Sequence, residues 1–158
     1  MLTPDAFRSL LSRFPSGVTV VTARDAGQRD HGITVSSFAS VSLTPPLVLV
    51  CIDAAAVMHR VITSAPAFTV NILGVAQEEL SRRFAEPDEG RFDGLTVERG
   101  VTGCALLSGS TATLECVIRD RHAAGDHLVV IGEVVAGAAT GDVDPLLYHR
   151  GAYTRLTP

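Results

Sequence analysis

The sequence predicts a mainly β protein in which antiparallel strands form a closed or nearly closed barrel, flanked by a few short helices. Strand-like apolar segments recur along the 158 residues with turn residues between them. Only three segments carry apolar residues at helical spacing. The 14 glycines and the many Val and Thr residues are typical of a β-rich chain with tight turns. Strands at this spacing with so few helices favour a barrel.

A short amphipathic helix is predicted at the start of the chain. Thr3 can cap this helix, Pro4 suits its first turn, and Asp5 favours its positive end. Apolar side chains then recur on one helical face, at Phe7, Leu10, Leu11 and Phe14. Pro15 and Gly17 are expected to end the helix.

The remaining elements follow from alternation and turn residues. Strands are predicted over residues 18–23, 32–36, 47–52, 68–73, 113–119 and 127–135. The 47–52 strand is apolar on both faces, so a central place is expected. Further helices are predicted over residues 54–64 and 76–85. Loops are predicted over residues 25–30, 86–109 (with a possible short strand at 95–98) and 137–144. Residues 146–156 form a last extended segment. No repeat or linker is evident, so a single domain over residues 1–158 is expected.

The composition excludes several classes of function. A net charge of −4, a pI near 5.7 and the absence of Trp argue against a nucleic-acid partner. The three cysteines, Cys51, Cys104 and Cys116, have neither zinc nor disulfide spacing and are expected to be buried free thiols. No metal site, Gly-x-Gly-x-x-Gly unit or P-loop is present in the sequence. No membrane span or secretory signal is evident, which predicts a cytoplasmic protein.

The most informative stretch is residues 32–46, where a strand-like run passes into a hydroxyl-rich turn and Pro45-Pro46. Its hydroxyls lie within nine residues, at Thr34, Ser36, Ser37 and Ser40. Such a ledge can hydrogen-bond the polar edges and phosphate of a flat, anionic cofactor. The alternative is a Ser/Thr-rich connection whose hydroxyls are simply solvated.

A second candidate is the turn Gly125-Asp126-His127 before a strand. Glycine lets a ligand approach the backbone closely there. The alternative is an ordinary β-turn in which Asp126 bonds its own backbone.

These segments, in this order, resemble the short-chain flavin reductase family. The similar segments cover residues 14–22, 32–48, 68–73, 81–85, 125–127 and 145–153. The resemblance implies a Greek-key, flavin-binding split-barrel fold. It also implies an NAD(P)H:flavin oxidoreductase that reduces FMN or FAD with NADH or NADPH as hydride donor. Reduced flavin would then pass to a separate flavin-dependent monooxygenase. Family members pair as homodimers, which is the state expected here.

The resemblance also implies site residues. The flavin would contact Thr34, Val35, Ser36 and Ser37, and a neighbouring strand end formed by Cys51, Ile52 and Asp53. Arg82 and Arg83 could reach its phosphate, beside Phe84 and Ala85, although the spacing of both arginines alone favours a solvated helical face. Gly125 and Asp126 would lie over the flavin, with His127 as the catalytic residue that seats the nicotinamide. Arg150 and Tyr153 would lie near the same cleft.

The chain departs from the family pattern after the 47–52 strand. A Ser or Lys often contacts phosphate there, whereas this chain has Ala54-Ala-Ala56. Backbone amides at the start of the next helix could substitute. Two rival functions remain at this stage. One is a split-barrel oxidase or monooxygenase that retains its FMN, and the other is a non-catalytic flavin-binding module.

Overall fold

The computed structural model describes residues 1–87 and 89–157, which form a mainly β fold. Asp88, inside the predicted 86–109 loop, and Pro158, at the end of the predicted single domain, lie outside the described residues. The helices are α1 (Pro4–Leu11), α2 (Val57–Ser64) and α3 (Glu78–Ala85), with a 3-10 turn at Val75–Gln77 before α3. The strands are β1 (Ser16–Gly17), β2 (Thr19–Arg24), β3 (Asp30–Val35), β4 (Phe38–Leu43), β5 (Pro46–Asp53), β6 (Ala67–Ile72), β7 (Val97–Arg99), β8 (Ala105–Leu107), β9 (Ala112–Ala124), β10 (His127–Ala139), β11 (Leu147–His149) and β12 (Ala152–Thr154).

The largest sheet has seven antiparallel strands in the order β3-β2-β6-β9-β10-β5-β4. Its two edge strands, β3 and β4, are consecutive in the chain and are joined only by Ser36 and Ser37. Residues 35 and 38 can therefore be at most about 11 Å apart. The sheet must curl until its edges nearly meet. No β3–β4 ladder forms within the described residues, so the barrel is split, and the predicted fold class is confirmed.

The barrel interior is filled by alternate residues of the strands. In β5, Val48, Val50 and Ile52 are buried, whereas Leu47, Leu49 and Cys51 are half-buried on the outer face. The strand has a neighbour on each side, as its apolar sequence predicts, but only one of its faces reaches the core. The buried side chains of β2, β6 and α2 join the same cluster, and α2 closes one end of the barrel with Met58, Val61 and Ile62.

Several elements differ from the sequence prediction because their pairing partners are distant in the chain. Residues 38–43, expected within a hydroxyl-rich turn, form β4 against β5. The short strand β8 lies inside the predicted 86–109 loop. β10 continues into the loop predicted over residues 137–144 because it follows β9 as far as Ala139. The predicted last extended segment is the hairpin β11–β12, which turns at Arg150 (φ 52°) and Gly151 (φ 77°).

The first helix begins as predicted. Thr3 Oγ1 accepts a hydrogen bond from Ala6 N at 3.2 Å, and Pro4 and Asp5 occupy the first turn. The helix ends at Leu11, before the predicted stop at Pro15, so Phe14 lies beyond it. The residues of the predicted apolar stripe are exposed, with fractions of 51% for Phe7, 62% for Leu10, 56% for Leu11 and 78% for Phe14.

Within residues 1–87 and 89–157, no helix is both long and apolar enough to cross a membrane.

Candidate functional site

A cleft of about 370 Å³ opens beside the junction of β3 and β4. Five of the residues predicted for cofactor binding line it, namely Thr34, Ser36, Arg82, Ala85 and Tyr153. The other lining residues are Val18, Glu86, Tyr148 and Gly151. We call this the first cleft. It brings together the β3 end, the C-terminal end of α3 and the β11–β12 hairpin, which are far apart in sequence.

The hydroxyls of the β3–β4 junction have different roles. Thr34 Oγ1 donates to Ser81 O of α3 at 2.6 Å. Ser37 Oγ donates to Cys51 O at 2.9 Å and accepts from Cys51 N at 3.2 Å, which ties the junction to β5. Ser36 is exposed in the first cleft, and its hydroxyl has no hydrogen bond to any other described residue. Of the predicted hydroxyl ledge, Ser36 is therefore the group best placed to meet a ligand.

The floor of the junction depends on Gly32, the first residue of the hydroxyl-rich motif. A Cβ at this position would overlap the Phe84 ring of α3. The glycine therefore allows α3 to pack closely on β3, which places Ala85 and Glu86 at the first cleft. Its role in the motif is packing, rather than contact with a ligand in this cleft.

An aromatic and a cation form the opposite wall of the first cleft. The hydroxyls of Tyr153 and Ser81 lie 2.7 Å apart, and the Tyr148 ring meets the Tyr153 ring edge to face at 5.3 Å. The Arg82 guanidinium lies 4.7 Å from the centroid of the Tyr153 ring. It also donates to Glu78 at 2.7 Å, and this hydrogen bond raises the pKa of Arg82 further above its usual value.

Arg150 occupies the turn of the β11–β12 hairpin. Its positive φ of 52° and that of Gly151 make the tight turn that brings Tyr148 and Tyr153 side by side. Arg150 N donates to Ser12 O, which fastens the hairpin to the segment after α1. Gly151 lines the first cleft, whereas Arg150 is exposed and does not belong to its lining.

A second group of predicted residues meets at the end of β5 and β10. His127 pairs with Asp53 across the two strands, and Ala54 N donates to Asp126 O at 2.9 Å. His127 Nδ1 lies 2.7 Å from Asp126 Oδ1, and this hydrogen bond lowers the pKa of Asp126. Gly125 makes the β9–β10 turn with φ 62°. We call Ser37, Cys51, Asp53, Asp126 and His127 the strand-end group.

Asp126 is thus a carboxylate at neutral pH, and it accepts a hydrogen bond from Nδ1–H of the His127 ring. The Nε2 atom of His127 is left to face solvent or a ligand, and the side chain is 42% exposed. The strand-end group and the first cleft adjoin at Ser36-Ser37.

Four residues predicted to contact the flavin belong neither to the lining of the first cleft nor to the strand-end group. Phe84 and Ile52 are completely buried and Val35 is 9% exposed, so all three belong to the core. Arg83 Nη2 donates to Gly90 O and Asp93 O, which anchors the loop after α3. Arg82 is the α3 arginine that lines the cleft. Because burial of a side chain does not exclude a backbone contact, the flavin contacts of these four residues stay predictions.

The backbone amides directly after β5 already have hydrogen-bond partners. Ala54 N is bonded to Asp126 O, and the amides of Ala55 and Ala56 donate to Asp53. The amides that α2 leaves without an intrahelical partner begin at Val57. Among the described residues, no group of three or more His, Cys, Asp or Glu side chains is arranged to hold a metal ion.

Comparison with known proteins identifies the family. Residues 11–157 match the flavin reductase like domain. The chain belongs to this family.

Relatives of known name are similar over most of the chain. The reductase subunit of stachydrine N-demethylase of Rhizobium meliloti is 41% identical over 95% of this chain and 65% of its own length. The NADH-dependent FAD reductase of Streptomyces globisporus is 38% identical over 96% of this chain and 85% of its own length. A solved structure of the NADH:FAD oxidoreductase of Streptomyces globisporus with NAD and FAD fragments superposes on this chain with a TM-score of 0.93 at 36% identity. The superposition covers 100% of this chain and 97% of the oxidoreductase chain.

The chain spans less than two thirds of the Rhizobium meliloti reductase subunit. The match over residues 11–157 establishes the family of this domain. Because the chain spans only part of that relative, the activity of the whole protein is a proposal.

Proposed function

We propose that this protein is an NAD(P)H:flavin oxidoreductase that reduces FMN or FAD and supplies reduced flavin to a partner monooxygenase. The observation that carries the proposal is the junction of the first cleft with the strand-end group. Ser36, whose hydroxyl bonds no other described residue, and Tyr153 line the first cleft, and the chain continues through Ser37 to the strand-end group with its histidine–carboxylate pair, His127 and Asp126. The family relatives named above support the same reaction.

The residues of this surface suit a flavin. The ring system is flat and apolar with polar edges, and the first cleft combines the Tyr153 ring with the Ser36 hydroxyl. Arg82 and the first amides of α2 are the described cationic and backbone donors suited to a phosphate end. The exposed, shallow lining and the absence of a phosphate-binding side chain at Ala54-Ala-Ala56 suit a flavin that exchanges rather than one that is retained.

When bound, the flavin supplies the electron-accepting ring for a hydride from the reduced nicotinamide. The chain contributes position and exclusion of competing groups, because hydride transfer depends mainly on alignment and distance. His127 Nε2 would meet the carboxamide or the pyrophosphate of the nicotinamide dinucleotide, and the hydrogen bond between Nδ1 and Asp126 would fix the orientation of the ring. The exposed Arg150 of the β11–β12 turn offers a cation to the pyrophosphate.

Steady-state oxidation of NADH and NADPH with FMN, FAD and riboflavin as substrates tests the proposal. We expect rapid nicotinamide oxidation with free flavin turned over. A protein that is permanently yellow without oxidising NADH would indicate the rival oxidase or monooxygenase. Flavin binding without turnover with either nicotinamide would indicate a binding module.

The role of His127 is tested by His127→Ala. We expect the KM for the nicotinamide to rise, or flavin reduction to slow, by about tenfold, while flavin affinity stays nearly unchanged. His122→Ala is a matched control because His122 also pairs with a carboxylate, Asp120 at 3.0 Å, but lines neither the cleft nor the strand end. Stopped-flow reduction and fluorescence titration give the two values. Unchanged reduction in His127→Ala would assign the nicotinamide contact to Arg150 and Tyr153.

We also propose a homodimer. The exposed α1 stripe and the half-buried outer face of β5 leave apolar surface to cover, and most oligomers of this kind are symmetric pairs. Leu10→Glu, in the middle of the stripe, should shift the protein towards monomer in sedimentation velocity at micromolar concentration. A wild-type protein that is fully active as a monomer would exclude the dimer as the active state.

A cytoplasmic location stays a prediction from the sequence.

A further inference from the structure

Ser81 is a polar residue of α3 that is completely buried. A buried hydroxyl is nearly always hydrogen-bonded, because an unpaired one costs free energy. The Ser81 hydroxyl lies 2.7 Å from that of Tyr153, which is 72 positions further along the chain. This separation is the usual one for a hydrogen bond between two hydroxyls. The side chain of Ser81 is therefore engaged by the β11–β12 hairpin.

The main-chain carbonyl of Ser81 is engaged by a different element. Thr34 Oγ1 of β3 donates to Ser81 O at 2.6 Å. Ser81 therefore contacts β3 through its backbone and the β11–β12 hairpin through its side chain. Thr34 and Tyr153 both line the first cleft, whereas Ser81 does not belong to the lining. It lies behind the cleft and joins two of its walls.

The other contacts of the Tyr153 ring do not fix its orientation. Arg82 lies 4.7 Å from the ring centroid and Tyr148 meets the ring edge to face, but their side chains are exposed and can follow the ring if it moves. The ring also packs on the apolar cluster that contains Phe84, and such packing is non-directional. The buried hydroxyl of Ser81 is fixed by α3, so its hydrogen bond defines where the ring lies.

We propose that Ser81 is a positioning residue for the flavin, and that its hydroxyl holds the Tyr153 ring as the aromatic wall of the first cleft. Without the Ser81 hydroxyl, the hydroxyl of Tyr153 would be left unpaired against α3. Rotation of the half-buried Tyr153 side chain towards solvent would pair this hydroxyl with water, and the aromatic wall would be displaced. The flavin as the ligand of this wall rests on the proposed function, whereas the placing of the ring does not.

The position of the ring can be measured without a ligand, because the chain has no Trp and only two Tyr residues. In a Tyr148→Phe protein, tyrosine emission comes from Tyr153 alone. Quenching of this emission by acrylamide should rise when Ser81→Ala is added, towards the value of the same protein unfolded in urea. Ser110→Ala is the matched control, because Ser110 is 3% exposed, lies outside the cleft lining and donates to Leu107 O at 2.9 Å. It removes another buried serine hydroxyl and should leave the quenching unchanged.

Fluorescence titration of FMN and FAD, with Tyr148 in place, tests the consequence for the site. Ser81→Ala and Tyr153→Phe remove the same hydrogen bond from opposite sides, so each should weaken flavin binding by about fivefold. For the same reason, the double variant should lose no more affinity than either single variant. Tyr153→Phe keeps the ring and changes nothing inside α3, so this measurement does not depend on the folding of Ser81→Ala. Ser110→Ala should bind flavin as the wild type does.

Three results would overturn the positioning role. They are unchanged acrylamide quenching in Ser81→Ala, a double variant whose loss is the sum of the two single losses, and an equal loss of flavin affinity in Ser110→Ala, which would indicate general loosening of the fold. A wild-type protein that binds no flavin would contradict the proposed function and the assignment of the wall to flavin. Because the quenching needs no ligand, it still decides in that case whether Ser81 holds the Tyr153 ring.

Discussion

Ser36 and Ser37 are adjacent hydroxyls with different roles, and single alanine substitutions should separate those roles. Ser37 Oγ makes two hydrogen bonds to the Cys51 backbone, at 2.9 and 3.2 Å. Each neutral hydrogen bond contributes roughly 0.5–1.5 kcal/mol. Because Ser37 is exposed and water can replace it, the low end applies, and Ser37→Ala should lower the free energy of unfolding by about 1 kcal/mol. For a domain of this size that is a fall in Tm of about 2–4 °C.

Ser36→Ala should weaken flavin binding without lowering the stability of the fold. Its hydroxyl bonds no other described residue, so we expect the Tm to remain within about 1 °C of the wild-type value. If the hydroxyl donates to the flavin, its loss should weaken flavin binding by about fivefold, which corresponds to about 1 kcal/mol. Affinity alone would not identify a flavin contact at Ser37, because loosening the tie to β5 also disturbs the site.

Thermal unfolding followed by circular dichroism, with fluorescence titration of FMN and FAD, measures both quantities for both variants. Equal losses of Tm for Ser36→Ala and Ser37→Ala would refute the distinction between a ligand hydroxyl and a structural one. Normal flavin affinity in a folded Ser36→Ala protein would remove Ser36 from the proposed site.

Two further predictions concern packing and thiol chemistry. Gly32→Ala should destabilise the fold by about 1–3 kcal/mol in urea unfolding, because its Cβ would overlap Phe84, whereas Gly17→Ala meets no atom within 4 Å and should change little. At pH 8 a thiol reagent should label Cys51 and not Cys116, because burial raises the pKa of Cys116 to about 12. Bound flavin should slow the labelling of Cys51. Labelling of Cys116 in the folded protein would contradict the structure. Since this thiol pKa is raised above its unfolded value of about 8.5, its contribution to stability is complete below that pH and is lost as the pH rises towards 12.

Local patterns predicted the elements whose stability is decided by nearby residues. The capped start of α1 depends on Thr3 and its near neighbours, and the alternation along β9 and β10 depends on one face being buried. The order of the similar segments along the chain also pointed to the family, whose residues 11–157 match. Pairings between distant segments were not visible in the same way. The sequence therefore did not predict β8, and it predicted the β11–β12 hairpin as a single extended segment.

The candidate site shows the same division. From sequence, Thr34, Ser36 and Ser37 formed one hydroxyl ledge, yet Ser81 engages the first and Cys51 engages the third. Arg82 and Arg83 were equivalent in sequence, whereas packing of Phe84 against Gly32 orients α3 so that Arg82 lines the cleft.

The sequence by itself determined the β-rich class, the start of α1, the principal strands and the chemistry gathered around residues 32–37 and 125–127. These depend on propensity, periodicity and capping, which act within a few residues. The tertiary structure alone decided which hydroxyl faces the cleft and which arginine lines it. The reason is that curling of the sheet and docking of α3 bring together residues far apart in the chain, such as Val18 and Tyr153, and no local pattern records which of them will meet.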